Sequence, residues 1–249
     1  MYQEQTKKDW MKWWKLSEKD IPDGLILFGN WSTHKYYKQW KKILKNSRFV
    51  QEHILLGEYN GLKIAFAVTY GPAMASELVH IFGLMGTPVV VQTGSFGGLK
   101  KGLRVGDIFV PKEATKGESV SDWYLSKNQK SDASNDLIRY VIDECKKLKL
   151  RCITGNVFTT SAMLAEKWSD VLRWNKQGFT GVDLEASATL AVAKHFKMKR
   201  IVMYSLADNL IEKSHLLSMT KGEFDECEKS INIIFDLALK TIKFVKKNS

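Results

Sequence analysis

Cysteine is scarce in this chain of 249 residues. The three present, Cys145, Cys152 and Cys227, are odd in number and widely spaced, which argues against a disulfide framework and against a zinc site. They read as packed thiols. The five histidines, His34, His53, His80, His195 and His215, show no metal-ligand spacing. No stretch approaches the roughly 18 consecutive apolar residues that a membrane span needs, and Met1-Tyr2-Gln3-Glu4 lacks the charged and apolar regions of a secretory leader. A cytoplasmic protein with no membrane partner is expected. Neither a nicotinamide fingerprint nor a Walker-type loop ending in Gly-Lys-Ser/Thr is present, so no metal or organic cofactor is implied. Repeats, low-complexity tracts and linkers are also missing.

Acidic residues are thin at both ends of the chain. Residues 1–50 hold 11 basic and 5 acidic side chains, residues 240–249 hold 4 and none, and the 189 between hold 23 and 22. The formal charge of +11 is therefore terminal. A basic fringe can attract phosphate-bearing molecules, yet solvated lysine-rich helix faces are the commoner cause of such a pattern, and no nucleic-acid partner is expected.

Five of the eight tryptophans fall in the first forty residues, with Trp10, Trp13 and Trp14 expected on one face of a short helix. That face needs a partner, and the body of the domain or a second subunit is favoured over a membrane surface. Residues 1–24 accordingly read as an aromatic, basic extension, and 25–249 as the main domain. Apolar Leu25–Phe28 predicts a strand, residues 34–45 a basic helix, and 53–59 and 63–70 a hairpin turning at Asn60-Gly61. A small-residue helix over 73–85 precedes strands at 88–93 and 107–111, and residues 114–132 read as irregular. Helices are expected near 134–148, around Trp168 and Trp174, over 186–197 and from about 221 to 246; strands are expected at Arg151–Phe158, Thr180–Leu184 and 200–206. The order is mixed α/β.

The run Val89-Val90-Val91-Gln92-Thr93-Gly94-Ser95-Phe96-Gly97-Gly98-Leu99 predicts a buried strand ending in a loop of glycines and hydroxyls, able to wrap an anion or a sugar. Two further strand ends carry polar groups, Asp183-Leu184-Glu185 and Ser205-Leu206-Ala207-Asp208-Asn209, and ligands of open α/β sheets settle outside such ends. Alternation sends Asp183 and Glu185 to one face, where two carboxylates suit a vicinal diol. Equally open is that Glu185 caps the helix beginning at Ala186 while Asp183 is exposed. Asp208 follows a nearly apolar run, and burial there would raise its pKa and make it a general acid; the plainer reading is an Asp capping a turn.

At these residues the chain resembles the nucleoside phosphorylase superfamily, which includes hexameric purine nucleoside phosphorylase, uridine phosphorylase and methylthioadenosine nucleosidase. Gln92–Leu99 with Val105-Gly106-Asp107-Ile108 is similar to the family's glycine loop and following strand. Thr154–Thr160 resembles the segment before its base-binding loop, Gly181–Thr189 its ribose-binding signature, and Ser205–Leu210 the region of its purine-site aspartate. The resemblance implies one α/β domain with a central mixed, partly barrel-like sheet flanked by helices. It implies that Glu185, within the Asp183-Leu184-Glu185 signature, holds the ribose hydroxyls with the Leu184 backbone against the sugar. Ser95 and the N–H groups around Gly94 would face phosphate or water, Asp208 the purine N7, and Met163 the base. Lys221 would stand in for an arginine that assists the aspartate.

Departures from the family pattern bear on the nucleophile. Places where phosphate-binding arginines are usual hold Thr33, Val50 and Gln92, and a neutral glutamine cannot replace a charged fork. In Gly29–His34 the glutamate by which nucleosidases activate water is missing, leaving His34 as the candidate base. The pair that reads uracil is absent from Ser161–Trp168. The expectation is an enzyme of purine salvage, a pentosyltransferase cleaving a purine nucleoside with phosphate as co-substrate, assembled as a homodimer or homohexamer. Hydrolysis by water, uridine phosphorolysis and non-catalytic nucleoside binding are the alternatives.

Overall fold

A computed structural model describes residues 2–126 and 129–248. Met1 and Ser249, at the limits of the expected extension and main domain, and Lys127 and Asn128, within the stretch expected to be irregular, lie outside the described residues. The elements run α1 (Lys7–Trp13), β1 (Gly24–Gly29), α2 (Thr33–Ile43), β2 (Lys45–Val50), β3 (Ile54–Tyr59), β4 (Leu62–Thr69) and α3 (Pro72–Met85). They continue with β5 (Val89–Gly98), β6 (Ile108–Gly117), β7 (Ser131–Asp132), α4 (Asn135–Lys147), β8 (Cys152–Thr160) and α5 (Trp168–Lys176). The chain ends with β9 (Gly181–Asp183), α6 (Ala186–His195), β10 (Lys199–Asn209) and α7 (Lys221–Lys247).

The strands form one mixed sheet in the order β10-β6-β8-β9-β5-β1-β4-β3-β2, with β7 added to β6. Because β10 also pairs with β5 in parallel, the first five strands of that path close into a ring. The remaining four extend from β5 as an open wing. Strands buried on both faces read as unbroken apolar runs, and Leu25, Ile26, Leu27 and Phe28 of β1 are all fully buried.

One face of the sheet is covered by α7, whose start is fixed by a reciprocal cap: Glu223 N–H donates to the Thr220 hydroxyl and Thr220 N–H to the Glu223 carboxylate. Its Phe235 packs with Phe28, Tyr36, Trp40 and Phe66, and Trp40 stacks on Phe66 at 4.4 Å between ring centroids. On the other face, the small residues of α3 and α6 let these helices press close to the sheet.

Several expectations need correction. The tryptophan face is narrower than expected: Trp14 packs edge-on against Phe82 of α3 while Trp13 is 73% exposed. At 100° per residue, Met11 and Trp14 centre the buried stripe and Trp13 falls about 130° from that centre. The basic helix stops at Ile43, and Lys45–Val50 instead pairs antiparallel with β3. β6 runs through Gly117, well into the stretch read as irregular, because β8 pairs along its whole length. The glycine run is strand rather than loop. Here glycine answers to close packing: a Cβ on Gly97 would stand 2.9 Å from Leu210, and one on Gly94, at φ +153°, 3.1 Å from the Gly29 carbonyl.

Candidate active site

A cavity of about 360 Å³ opens where the carboxyl ends of β1, β5, β9 and β10 meet α7. Ser95, Met163, Asp183, Leu184, Glu185 and Asp208 all line it. Residues separated by more than a hundred positions are brought together by the closed ring, since β9 and β10 both flank β5.

Glu185 is held against the backbone at the end of β1. It stands at the N-cap position of α6 without capping it: its side chain is 4% exposed, and Oε1 accepts the Gly71 N–H at 2.7 Å. A Cβ on Gly29 would lie 2.7 Å from Oε2, so the carboxyl lies directly on the backbone of the β1 terminus. Burial, reinforced by the neighbouring Asp183 charge, pushes its pKa up to about 8, while the Gly71 N–H pulls the other way.

Asp183 does the capping that one of the two open readings gave to Glu185, and it is buried rather than exposed. Its Oδ2 accepts the N–H groups of Glu185 at 3.0 Å and Ala186 at 2.6 Å and the Tyr204 hydroxyl at 2.5 Å; its Oδ1 accepts the Thr159 hydroxyl at 2.7 Å. Burial raises its pKa against the pull of these donors. Four donors leave it little capacity for a ligand, so it serves to set the turn on which Glu185 stands.

Asp208 lies within β10, not in a loop after it. The register of β10 on β5 shifts between Leu206 and Asp208, leaving Ala207 as the extra residue of a bulge. Strict alternation would turn Asp208 to the side of Leu206; with the bulge, Ala207 and Asp208 both line the cavity and Leu206 does not. Burial raises the Asp208 pKa to about 6, opposed by the Leu216 backbone N–H and by His215.

Other predicted residues fall elsewhere. Gln92 is fully buried and faces α6, where its Oε1 accepts the Thr189 hydroxyl at 2.9 Å and its Nε2 donates to the Thr93 carbonyl. It cannot sit on the nucleophile side of this cavity, because strand geometry at that position points it into the opposite layer. Gly94 lies behind Ser95 against Gly29, Val50 is buried at the end of β2, and Lys221 is exposed in the first turn of α7; none lines the cavity. His34 and Thr33 line a separate cavity beside α2.

Three further groups stand at the cavity. Glu166 lines the cavity near Asp208, and burial together with the charges of Asp208 and Asp170 raises its pKa to about 7. Lys35 of α2 is ion-paired with Glu228 of α7 at the wall. Trp31 and Tyr70 pair at 5.5 Å between ring centroids and stand partly exposed at the cavity. Only Glu166, shortly after a strand end, carried a local signal.

Among the described residues no group of three or more His, Cys, Asp or Glu side chains is placed to hold a metal, and no helix is long and apolar enough to cross a membrane. A family model described as "Phosphorylase superfamily" matches residues 33–240. A DeoD-type purine nucleoside phosphorylase of Buchnera aphidicola subsp. Acyrthosiphon pisum is 24% identical over 233 residues, covering 90% of this chain and 95% of the relative. DeoD-type 1 of Shewanella oneidensis is 22% identical over 189 residues, covering 74% and 77%. Among solved structures, a uridine phosphorylase from Vibrio fischeri ES114 superposes with a TM-score of 0.79 at 19% identity, covering 91% of this chain and 94% of the other.

Proposed function

The chain belongs to the phosphorylase superfamily, and from that premise we propose that it cleaves the N-glycosidic bond of a nucleoside with a purine as the leaving base. The observation that carries this reading is the presence of Asp208 and Glu185 on the walls of one cavity, each buried and each with a raised pKa. As the bond breaks, positive charge develops on the sugar and negative charge on the base. Asp208, with a pKa of about 6, gives its proton to the leaving purine. Glu185 accepts the sugar hydroxyls through Oε2 and, once ionised, stabilises the developing cation. Met163 and Leu184 supply apolar contact for base and sugar. The purine-phosphorylase names of the relatives support the choice of base.

Phosphate is the family-typical nucleophile, received on the Ser95 side. A second reading, hydrolysis, is favoured by one observation: no arginine lines the cavity among the described residues, and its lysine, Lys35, is engaged by Glu228. A place in purine salvage and a homodimeric or homohexameric assembly belong to the same reading.

Incubating the protein with inosine, adenosine, methylthioadenosine and uridine, with and without phosphate, and measuring released base tests it. Phosphate-dependent purine release supports phosphorolysis, and release without phosphate supports hydrolysis. Tight binding with no release leaves a nucleoside-binding protein, and preferential uracil release overturns the purine assignment.

A further inference from the structure

Beside the first cavity lies a second, of about 810 Å³, and the two share Asn30 and Tyr70 as a common wall. Their chemistry differs. The second is lined by Lys38, Lys41, His34 and His53 against one acid, Glu52. The first turn of α2 contributes Thr33 and His34; the Thr33 N–H donates to the Trp31 carbonyl, and the N-cap residue, Ser32, makes no side-chain cap, so the helix start adds partial positive charge. A further observation points to a ligand: Thr69, 1% exposed, lines this cavity and its hydroxyl has no hydrogen-bond partner. A buried hydroxyl left unpaired costs about 1–3 kcal/mol, which a bound acceptor would recover.

The shared wall identifies which part of a substrate would reach across. Glu185, the proposed holder of the sugar hydroxyls, is bonded to Gly71, the residue next to Tyr70. With the base toward Asp208 and the diol at Glu185, the remaining substituent of the sugar is C5′, the one part left free to reach across the Asn30–Tyr70 wall. We propose that the second cavity receives a phosphoryl group carried on C5′, making nucleoside 5′-monophosphates the substrate class of the site; this rests on the nucleoside-cleaving reading above. The bond broken is unchanged: the C1′–N electron pair leaves with the base, which takes the Asp208 proton, and phosphate bonds to C1′, or water does and gives up a proton that restores the Asp208 carboxyl through solvent.

The test compares adenosine with adenosine 5′-monophosphate, with and without inorganic phosphate, for the unaltered protein, the Lys38→Gln/Lys41→Gln double variant and Thr69→Val. Base release and calorimetric binding are both measured. The monophosphate is expected to show the higher kcat/KM, with the double variant losing about tenfold or more of it while adenosine turnover holds. Thr69→Val should weaken the monophosphate selectively. Equal handling of the two substrates, or poorer handling of the monophosphate, overturns the proposal. If inorganic phosphate speeds adenosine release through Lys38 and Lys41 without any preference for the monophosphate, the cavity takes free phosphate and the proposal fails. Lysine-dependent binding of the monophosphate without release of base from either compound would uphold the anion site and sink the catalytic reading instead.

Discussion

The Tyr204 hydroxyl donates to Oδ2 of Asp183 at 2.5 Å, tying the strand that carries Asp208 to the turn that carries Glu185. Asp208 and Glu185 are therefore held relative to one another by Asp183, which takes no part in the chemistry proposed for them. Asp183→Ala removes the acceptor of four donors and is expected to cost about 3–5 kcal/mol of stability. Tyr204→Phe, which removes one donor, should cost about 1–2 kcal/mol. Denaturant unfolding of both variants measures the difference, and equal small effects would refute the tie.

Asp208→Asn keeps the shape of the side chain and removes the proton. Purine release should fall by a factor of about 10²–10⁴. In the unaltered protein the rate should decline as pH rises through about 6, where Asp208 ionises, and the variant should lack that limb. Unchanged turnover across the pH range would remove Asp208 from the mechanism.

Stability and pH are linked through the same burial. Glu185 rises from 4.5 to about 8 and Asp208 from 3.8 to about 6 on folding. Each folded group holds its proton more tightly than the unfolded one, so the stability it contributes is fully present below the unfolded value. That contribution is lost as pH rises through the folded one, at up to about 1.4 kcal/mol per pH unit for each. The ligand-free protein should melt higher at pH 5 than at pH 8, and Glu185→Gln should flatten most of that decline. A melting temperature rising steadily from pH 5 to pH 8 would contradict it.

Sugar binding works on Glu185 in the opposite sense. Hydroxyl donors favour the ionised carboxylate and lower its pKa, so nucleoside binding should release a proton and tighten as pH rises from about 6 toward 8. Calorimetry in two buffers of different ionisation enthalpy reads the released proton. Glu185→Gln should abolish it.

Gln92→Arg is the natural attempt to restore a phosphate contact at the position where relatives are expected to hold an arginine. Because Gln92 is buried against Thr189 of α6, an arginine there would be overpacked and without a partner. The variant should lose about 3 kcal/mol or more of stability and gain no phosphate dependence. A gain in phosphate dependence would show that the strand can turn this side chain into the cavity.

The sequence made some of this legible and hid the rest for identifiable reasons. Glu185 and Asp208 follow apolar strands, so a reading based on strand ends finds them. Whether Glu185 caps the helix or faces the ligand stayed open in the sequence because either carboxylate could reach the free N–H groups, and only the fold of the turn decides. Gln92 was misplaced because the resemblance put it where a phosphate-binding arginine is usual, whereas in an extended strand residue parity assigns its face. The Lys35–Glu228 pair was beyond reach, since it joins α2 to α7 across nearly two hundred residues. β2 was hidden by lysines that suit a helix and a strand edge equally well.

One surplus residue at Ala207 also says something about how this site could change. Because Ala207 and Asp208 both face the cavity and Leu206 does not, deleting Ala207 would restore the regular ladder and leave the carboxylate, then next after Leu206, on the cavity side. The bulge thus gives this wall two neighbouring cavity-facing positions where a regular strand would give one. In this fold, a length change of one at Ala207 carries less weight than a substitution in the acid itself.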